Sequence, residues 1–381
     1  MGSGFTLVHT HGHARAGVWN LAHGPVPTPA FMPVGTQASV KTLLPSEVAP
    51  LCQNMMLCNT YHLLIRPGVE TIKQMGGLHR WMKWGGNILT DSGGFQLWSL
   101  AHRRKIEKDG VTFQSHLDGR KLHLNPRNVV DAQRGFGSDV MMVLDECTAY
   151  PATYEAAARS MELSMDWASQ AQDYWMEVRS DSPSQLLGIV QGGMYSELRK
   201  ASAAYLAELG MDGYAIGGLS VGEPKSEMQG MTALSAQSLP ENKIRYLMGV
   251  GKPADLITSV AAGVDVFDCV LPTRNARNGG FFKASGGHGN IKNAIYRQAA
   301  GPLDESCGCR GCRTFSASYL HHLFKAGEIV AFRLLSEHNL WILKDLMSRI
   351  REAILENRFD TFQKDFWDQN MERKEENLCL N

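Results

Sequence analysis

The sequence predicts an α/β fold in which parallel strands close into a barrel. Three observations carry that expectation. Short apolar runs recur along the chain, and each stops abruptly at a glycine or a polar residue. Continuous apolar runs are what a parallel sheet buried on both faces requires. Helix-length segments follow the runs, and repeated strand-then-helix order leads to a barrel or a doubly wound sheet. No Gly-rich dinucleotide-binding turn follows the first run, which favours the barrel.

Along the chain, the segment with Pro25, Pro27, Pro29 and Pro33 is expected to form strands or a lid ahead of the barrel. Runs then follow at 87–90, 139–144, 186–190, 214–216, 244–248 and 264–267. They end at Asp91, Asp145, Gln191, Gly217-Gly218, Gly249 and Asp268. Polar groups at the C-terminal ends of parallel strands are where barrel enzymes place their chemistry. Helices are expected over 154–178 and 195–209. The stretch from about Arg277 to Arg333 breaks the pattern with Gly-rich turns and a cysteine cluster, and reads as a late insertion. The spacing over 340–359 predicts a helix packed on the core, and a charged, frayed tail is expected from Met371.

At 381 residues, 44% hydrophobic and 20% charged, the composition is that of a globular chain. No apolar run reaches the roughly 18–20 residues of a bilayer span. The start, Met1-Gly2-Ser3-Gly4, lacks the order of a secretory signal, so a cytoplasmic location is expected. The formal net charge is zero, yet Cys269 to Arg333 holds nine Lys or Arg against three acids. Such a local excess suits phosphate neutralisation, although a solvated basic face has the same composition.

Of eight cysteines, Cys307, Cys309 and Cys312 cluster, while Cys52, Cys58, Cys147, Cys269 and Cys379 are scattered. In a reducing compartment a dense cluster reads as a metal site before it reads as disulfides. Three thiolates and one imidazole complete tetrahedral zinc in a closed, structural site. His338, 26 residues after Cys312, is one candidate for the imidazole, and His321 and His322 compete with it.

Asp91, Asp145 and Asp268 form a second constellation. A lone Asp after a strand is usually a helix N-cap. Three of them at strand ends, with Gln191 and Gly217-Gly218 on other strands, describe a site. One carboxylate can attack an anomeric carbon while another moves protons. Glycines admit a flat ligand to the backbone, and Gln191 offers a donor and an acceptor to a base edge. Arg274 and Arg277, close behind Asp268, suit a substrate whose phosphates flank the reacting sugar.

DSGGFQ (91–96), VQGG (190–193), GGLSVGEP (217–224), GVGKPAD (249–255), FDCVLPTRNARNG (267–279) and CGCRGC (307–312) occur in that order. Together they resemble the tRNA-guanine transglycosylase family over essentially the whole chain, about 5–365. The resemblance implies a (β/α)8 TIM barrel as a single domain over 1–381, with a zinc-binding subdomain at about 278–340. It makes Asp268 the nucleophile and Asp91 the proton acceptor. It places Asp91, Ser92, Gly93, Gly94, Phe95, Asp145, Cys147, Gln191, Gly217, Gly218, Leu219, Val221 and Met248 around the base. RNA contacts are implied for Gly249, Val250, Gly251, Lys252, Pro253, Ala254 and Asp255, and for Thr273, Arg274, Asn275, Ala276 and Arg277. One structural Zn²⁺ per chain is implied on Cys307, Cys309, Cys312 and His338.

The implied reaction replaces the wobble guanine of tRNAs with a GUN anticodon (aspartate, asparagine, histidine and tyrosine tRNAs). A covalent enzyme–RNA intermediate carries the exchange. Cys147 and Val221 match the bacterial pattern, which inserts 7-aminomethyl-7-deazaguanine (preQ1) in queuosine biosynthesis. Ser220 stands where the family more often has alanine. A homodimer is implied, and no membrane partner. The alternatives are a queuine-inserting enzyme, a non-catalytic RNA-binding partner subunit and a barrel glycosidase acting on free sugars. The basic insertion argues against the last, and intact Asp91 and Asp268 argue against the partner subunit.

Overall fold

The computed structural model describes residues 4–100, 104–180 and 182–378. Eight parallel strands make the barrel: β1 (Ala30–Met32), β2 (Met55–Cys58), β3 (Asn87–Thr90), β4 (Val140–Met142), β5 (Gln185–Val190), β6 (Gly213–Ile216), β7 (Arg245–Leu247) and β8 (Val266–Asp268). Strand β8 pairs in parallel with β1. The ring is completed between β1 and β2, where Leu57 N–H donates to Pro33 O at 3.0 Å and Gly35 N–H to Leu57 O at 2.7 Å. The six apolar runs are β3 to β8. Strands β1 and β2 lie outside those six runs: β1 is bracketed by Pro29 and Pro33, while β2 is itself an apolar run, Met55–Cys58, that stops at Asn59.

Register is held by a repeated aspartate clip at the strand starts. Asp139, Asp212 and Asp265 immediately precede β4, β6 and β8. Their carboxylates accept from Ile88 N–H (2.7 Å), Leu186 N–H (3.0 Å) and Arg245 N–H (2.8 Å) at the starts of β3, β5 and β7. Each carboxylate satisfies a donor that a buried strand end would otherwise leave unpaired.

The N-terminal strands, Gly4–His11, Ala14–Leu21 and Gly24–Thr28, form an antiparallel sheet against that same end of the barrel. Buried Trp19 donates to Gln185 Oε1 at 2.8 Å, and Arg15 pairs with buried Asp265 at 3.1 Å. The segment is therefore a plug at the N-terminal mouth, which leaves the C-terminal mouth for chemistry.

Helices Tyr154–Val178 and Ser196–Glu208 lie where expected. An unexpected three-stranded sheet (Arg104–Glu107, Gly110–Gln114, Lys121–Leu124) sits between β3 and β4. It buries Val111, Phe113 and Leu124 against Tyr61 and Trp167. After β8 and the short helix Leu271–Arg277, the chain makes a hairpin (Gly280–Phe282 with His288–Asn290) and the helices Arg310–Thr314 and Ala317–Lys325. Phe281, Ile291, Leu303 and Leu320 pack there with Leu334 and Leu335.

The helix expected at 340–359 is, over 340–355, part of a longer one, Ile329–Leu355, which buries Leu340, Leu343, Met347, Ile350 and Ile354 at helical spacing. It stops at Leu355, Asn357 turns left-handed (φ 56°), and Phe359 opens the next helix. The tail expected to fray from Met371 is instead helical, within Phe359–Leu378. Cys379 lies outside the described residues. Among those residues, no helix is long and apolar enough to cross a membrane.

Candidate active site

The strand ends of β3 to β8 bring the predicted polar groups to one mouth. Asp268, the last residue of β8, is half-buried. Its Oδ1 accepts from the Tyr246 hydroxyl at 2.6 Å and from Gly249 N–H at 2.9 Å. Two donors on one oxygen fix the carboxylate, and both fall on Oδ1 rather than Oδ2. Burial nevertheless raises the acid above the usual carboxylate range, against the lowering effect of those two bonds.

Asp91 follows β3 and is buried. Thr60 N–H donates to its Oδ1 at 2.8 Å and the Asn59 amide to its Oδ2 at 2.5 Å, both from the end of β2. Burial is the largest influence on this group, pushing it up to about 6; the nearby negative charge of Asp268 adds to the rise. A carboxylate that titrates near neutrality is suited to carrying a proton in both directions.

Asp145 and Gln191 are buried together at the ends of β4 and β5. The Gln191 amide donates to Asp145 Oδ2 at 2.7 Å, and the Ser92 hydroxyl to Oδ1 at 3.1 Å. Burial pushes Asp145 up to about 6 as well. Two glycines are required by this packing. A Cβ at Gly94 would stand 2.5 Å from Asp145 O, and one at Gly218 would stand 2.4 Å from Gln191 Oε1. Among the described residues, buried Gln191 Oε1 has no hydrogen-bond partner. An orphaned acceptor of this kind costs free energy until a ligand N–H meets it.

Leu219 and Cys147 are buried, whereas Val221 and Met248 are half-buried. Ser220 adopts a left-handed φ of 61°. The Glu223 carboxylate holds that turn by accepting from Ser220 N–H (2.5 Å) and Val221 N–H (2.9 Å). Phe95 is exposed on the helix Gly94–Leu100. A cleft of about 480 Å³, lined by Leu64, Val69, Leu122 and Arg134 among others, lies away from these groups and gathers none of them.

The twelve residues expected to touch RNA divide by exposure. Val250, Gly251, Pro253, Asp255, Thr273 and Ala276 are buried: the first two lie in the loop before Lys252, where a Cβ at Gly251 would stand 2.4 Å from Cys269 Cβ, and the other four lie on the helices Pro253–Ala261 and Leu271–Arg277. Asp255 accepts an ion pair from Lys225 at 2.7 Å. Gly249, Lys252 and Arg274 are exposed, and Ala254, Asn275 and Arg277 half-buried. Side-chain contact with a large ligand is open to this second group; the buried six shape the backbone beneath it.

Cys307, Cys309, Cys312 and His338 meet in one cluster that could hold a metal ion. The three sulfurs stand 3.3, 3.6 and 3.4 Å from His338 Nδ1. The imidazole Nε2–H donates to Phe282 O at 2.8 Å, which leaves the Nδ1 lone pair facing the thiols. His321 is turned to Ile291 O at 2.6 Å and, like His322, stands outside the cluster. A second group, His23, His79 and Asp139, has different geometry. Its rings stack at 3.8 Å and 14°, so their in-plane lone pairs run side by side rather than converging on an ion. Each ring is instead bonded to one Asp139 oxygen, at 2.6 and 3.0 Å.

A sequence profile for the family described as Queuine tRNA-ribosyltransferase matches residues 10–372. A protein of that name from Methylobacillus flagellatus is 51% identical over 364 residues, covering 95% of this chain and 96% of its own length. One from Hydrogenovibrio crunogenus is 50% identical over 363 residues, covering 95% and 97%. One from Thermoanaerobacter sp. is 50% identical over 355 residues, covering 93% and 94%.

Proposed function

Because the chain belongs to the queuine tRNA-ribosyltransferase family, we propose that it exchanges the wobble guanine of GUN-anticodon tRNAs for preQ1 through a covalent enzyme–RNA adduct. The observation that carries this reading is the pocket of Asp145, Gln191 and Gly218 beside the Asp91–Asp268 pair, with buried Gln191 Oε1 unpartnered. A flat base rich in N–H donors supplies the missing partner. Lys252, Arg274 and Arg277 flank Asp268 and take the phosphates on either side of the flipped nucleotide.

Chemically, Asp268 Oδ2 attacks C1′ as the C1′–N9 bond breaks, and the electron pair leaves with guanine. Asp91 supplies the proton that neutralises the departing base. The incoming base then gives its N9 proton to Asp91 and attacks C1′ from the opposite face, expelling the Asp268 carboxylate. Two inversions give net retention. A base-exchange assay with labelled guanine and tRNA tests the whole reading. Incorporation is expected, and its absence would favour a non-catalytic partner subunit.

The pH dependence follows from Asp91. In the adduct Asp268 is an ester, so its charge no longer raises Asp91, which then titrates at or somewhat below its value of about 6. Asp91 must be ionised to accept the proton, so resolution of a preformed adduct by added base should slow as pH falls through that value. The expected slope approaches tenfold per pH unit. A rate that stays flat from pH 8 to pH 5 would remove Asp91 from the role.

For base selectivity, Val221 and Cys147 are proposed to wall the C7 side of the pocket. PreQ1 carries a small aminomethyl group there and queuine a bulky cyclopentenediol. Overpacking costs roughly 1–3 kcal/mol, or about ten- to a hundredfold. Wild type should use preQ1 well and queuine poorly, and Val221→Gly should improve queuine use while keeping catalysis. Equal kcat/KM for the two bases in wild type would overturn the bacterial assignment.

The metal is proposed to be one structural Zn²⁺. With Zn–S about 2.3 Å and Zn–N about 2.05 Å, a tetrahedron has S···N edges of about 3.6 Å. The three observed edges of 3.3–3.6 Å fit it. Four protein ligands leave no open position, so the ion would cross-link the insertion to the helix Ile329–Leu355 and take no part in the exchange. The remaining proposed partner is a second copy of the chain, in the cytoplasm.

A further inference from the structure

We infer that Arg199 is a positioning residue of the base pocket, a buried donor fork that turns the backbone after β5 and β6 so that the N–H groups of Gly218 and Leu219 face the ligand. The inference rests on the reading of this mouth as a nucleobase site. Arg199 lies in the first turn of the helix Ser196–Glu208 and is completely buried. Burying a guanidinium is costly unless its donors are met. Among the described residues no carboxylate lies within hydrogen-bond reach of it. Its donors go to the backbone of two pocket loops instead. Nε donates to Gly193 O at 2.7 Å, and Nη2 donates to Gly217 O at 3.1 Å and Gly218 O at 3.4 Å. Nη1 reaches the Ser235 hydroxyl at 3.5 Å.

A trans peptide points its C=O and the following N–H in opposite directions. Drawing the carbonyls of Gly217 and Gly218 onto Arg199 therefore turns the N–H groups of Gly218 and Leu219 away from it. Neither N–H has a protein acceptor among the described residues. The next two N–H groups, of Ser220 and Val221, are taken by Glu223. Across 217–221 the N–H groups of Gly218 and Leu219 are thus the two left over, and Gly218 adjoins Gln191 Oε1, which has no partner among the described residues. The left-handed φ of 63° at Gly218 belongs to the same arrangement. Burial lowers the guanidinium to about 10, so it stays charged at neutral pH and keeps all its donors. The ligand these groups suit is a planar base presenting a carbonyl oxygen next to N–H donors.

The test is Arg199→Lys with Arg199→Met as the harsher variant. Lysine keeps the charge but has no planar fork to span three carbonyls. Free-base binding is measured by calorimetry with guanine and preQ1, and exchange kinetics are measured separately for base and tRNA. R199K should weaken base binding and raise the base KM roughly 10- to 100-fold, with the tRNA KM within twofold of wild type. R199M should be weaker still, and R199K keeps the inference testable if R199M does not fold. A folded R199K with unchanged base affinity would overturn it, as would equal rises in the KM for base and tRNA. If wild type binds base but performs no exchange, the proposed reaction fails, while the base affinities still decide the role of Arg199.

Discussion

Asp268→Asn is expected to abolish the denaturant-resistant protein–RNA adduct and to lower turnover by on the order of 10³- to 10⁶-fold. The amide is isosteric with the carboxylate but a poor nucleophile. Tyr246 OH and Gly249 N–H donate to Asp268 Oδ1 in the wild type, and an asparagine Oδ1 can accept both bonds unchanged. The substituted side chain should therefore keep its place, and tRNA binding should stay within a few-fold of wild type. Removing the Asp268 charge also removes its push on Asp91, which should then ionise more readily. Incubation with tRNA followed by denaturing electrophoresis reads the adduct directly. An equal adduct yield from the variant would exclude Asp268 as nucleophile.

Much of this site was legible in the sequence because barrel chemistry sits at strand ends. Asp91, Asp145, Gln191 and Asp268 each stop an apolar run, so linear position alone put them at one mouth. The groups that condition them were not legible. Asn59 and Thr60 reach Asp91 from β2, Tyr246 reaches Asp268 from β7, and Arg199 reaches Gly217 from the helix after β5. All of these act between neighbouring elements, and neighbourhood is a property of the closed ring rather than of any local pattern. Strand β1 is three residues set between Pro29 and Pro33, where prolines mask a strand, whereas β2 (Met55–Cys58) is an apolar run stopping at Asn59 like the other six and was legible by the same rule. The sheet at 104–124 was hidden by half-buried strands of four or five residues. In the basic stretch, composition showed the charge but not its exposure. Arg274 and Lys252 face solvent, whereas Thr273 and Asp255 turn inward on the same short helices.

Cys309→Ala should lose the metal and destabilise the insertion, while leaving the base pocket itself intact. Losing one of four ligands opens the site, and structural zinc contributes its binding free energy to folding. A loss of about 4 kcal/mol or more is expected, which corresponds to a fall in Tm of about 5 °C or more for a chain of this size. The consequence for function follows from what adjoins the cluster. His338, of the cluster, is followed by Asn339, whose amide donates to Pro272 O at 2.8 Å and to Gly280 O at 3.1 Å. Its carbonyl oxygen accepts from Phe282 N–H at 2.8 Å. Pro272 belongs to the helix Leu271–Arg277, which carries Arg274 and Arg277 just after Asp268. Disorder at the cluster should thus reach the side of the mouth proposed to take phosphates first. Gly218 and Gln191 hang from β5 and β6, on other strands of the ring. The tRNA KM should rise by roughly tenfold, with base affinity by calorimetry nearly unchanged. Metal content by emission spectroscopy, melting by calorimetry and the two KM values check this together. Full metal occupancy with an unchanged Tm would reject the site, and a larger loss in base affinity than in tRNA affinity would reject the route from zinc to the arginines.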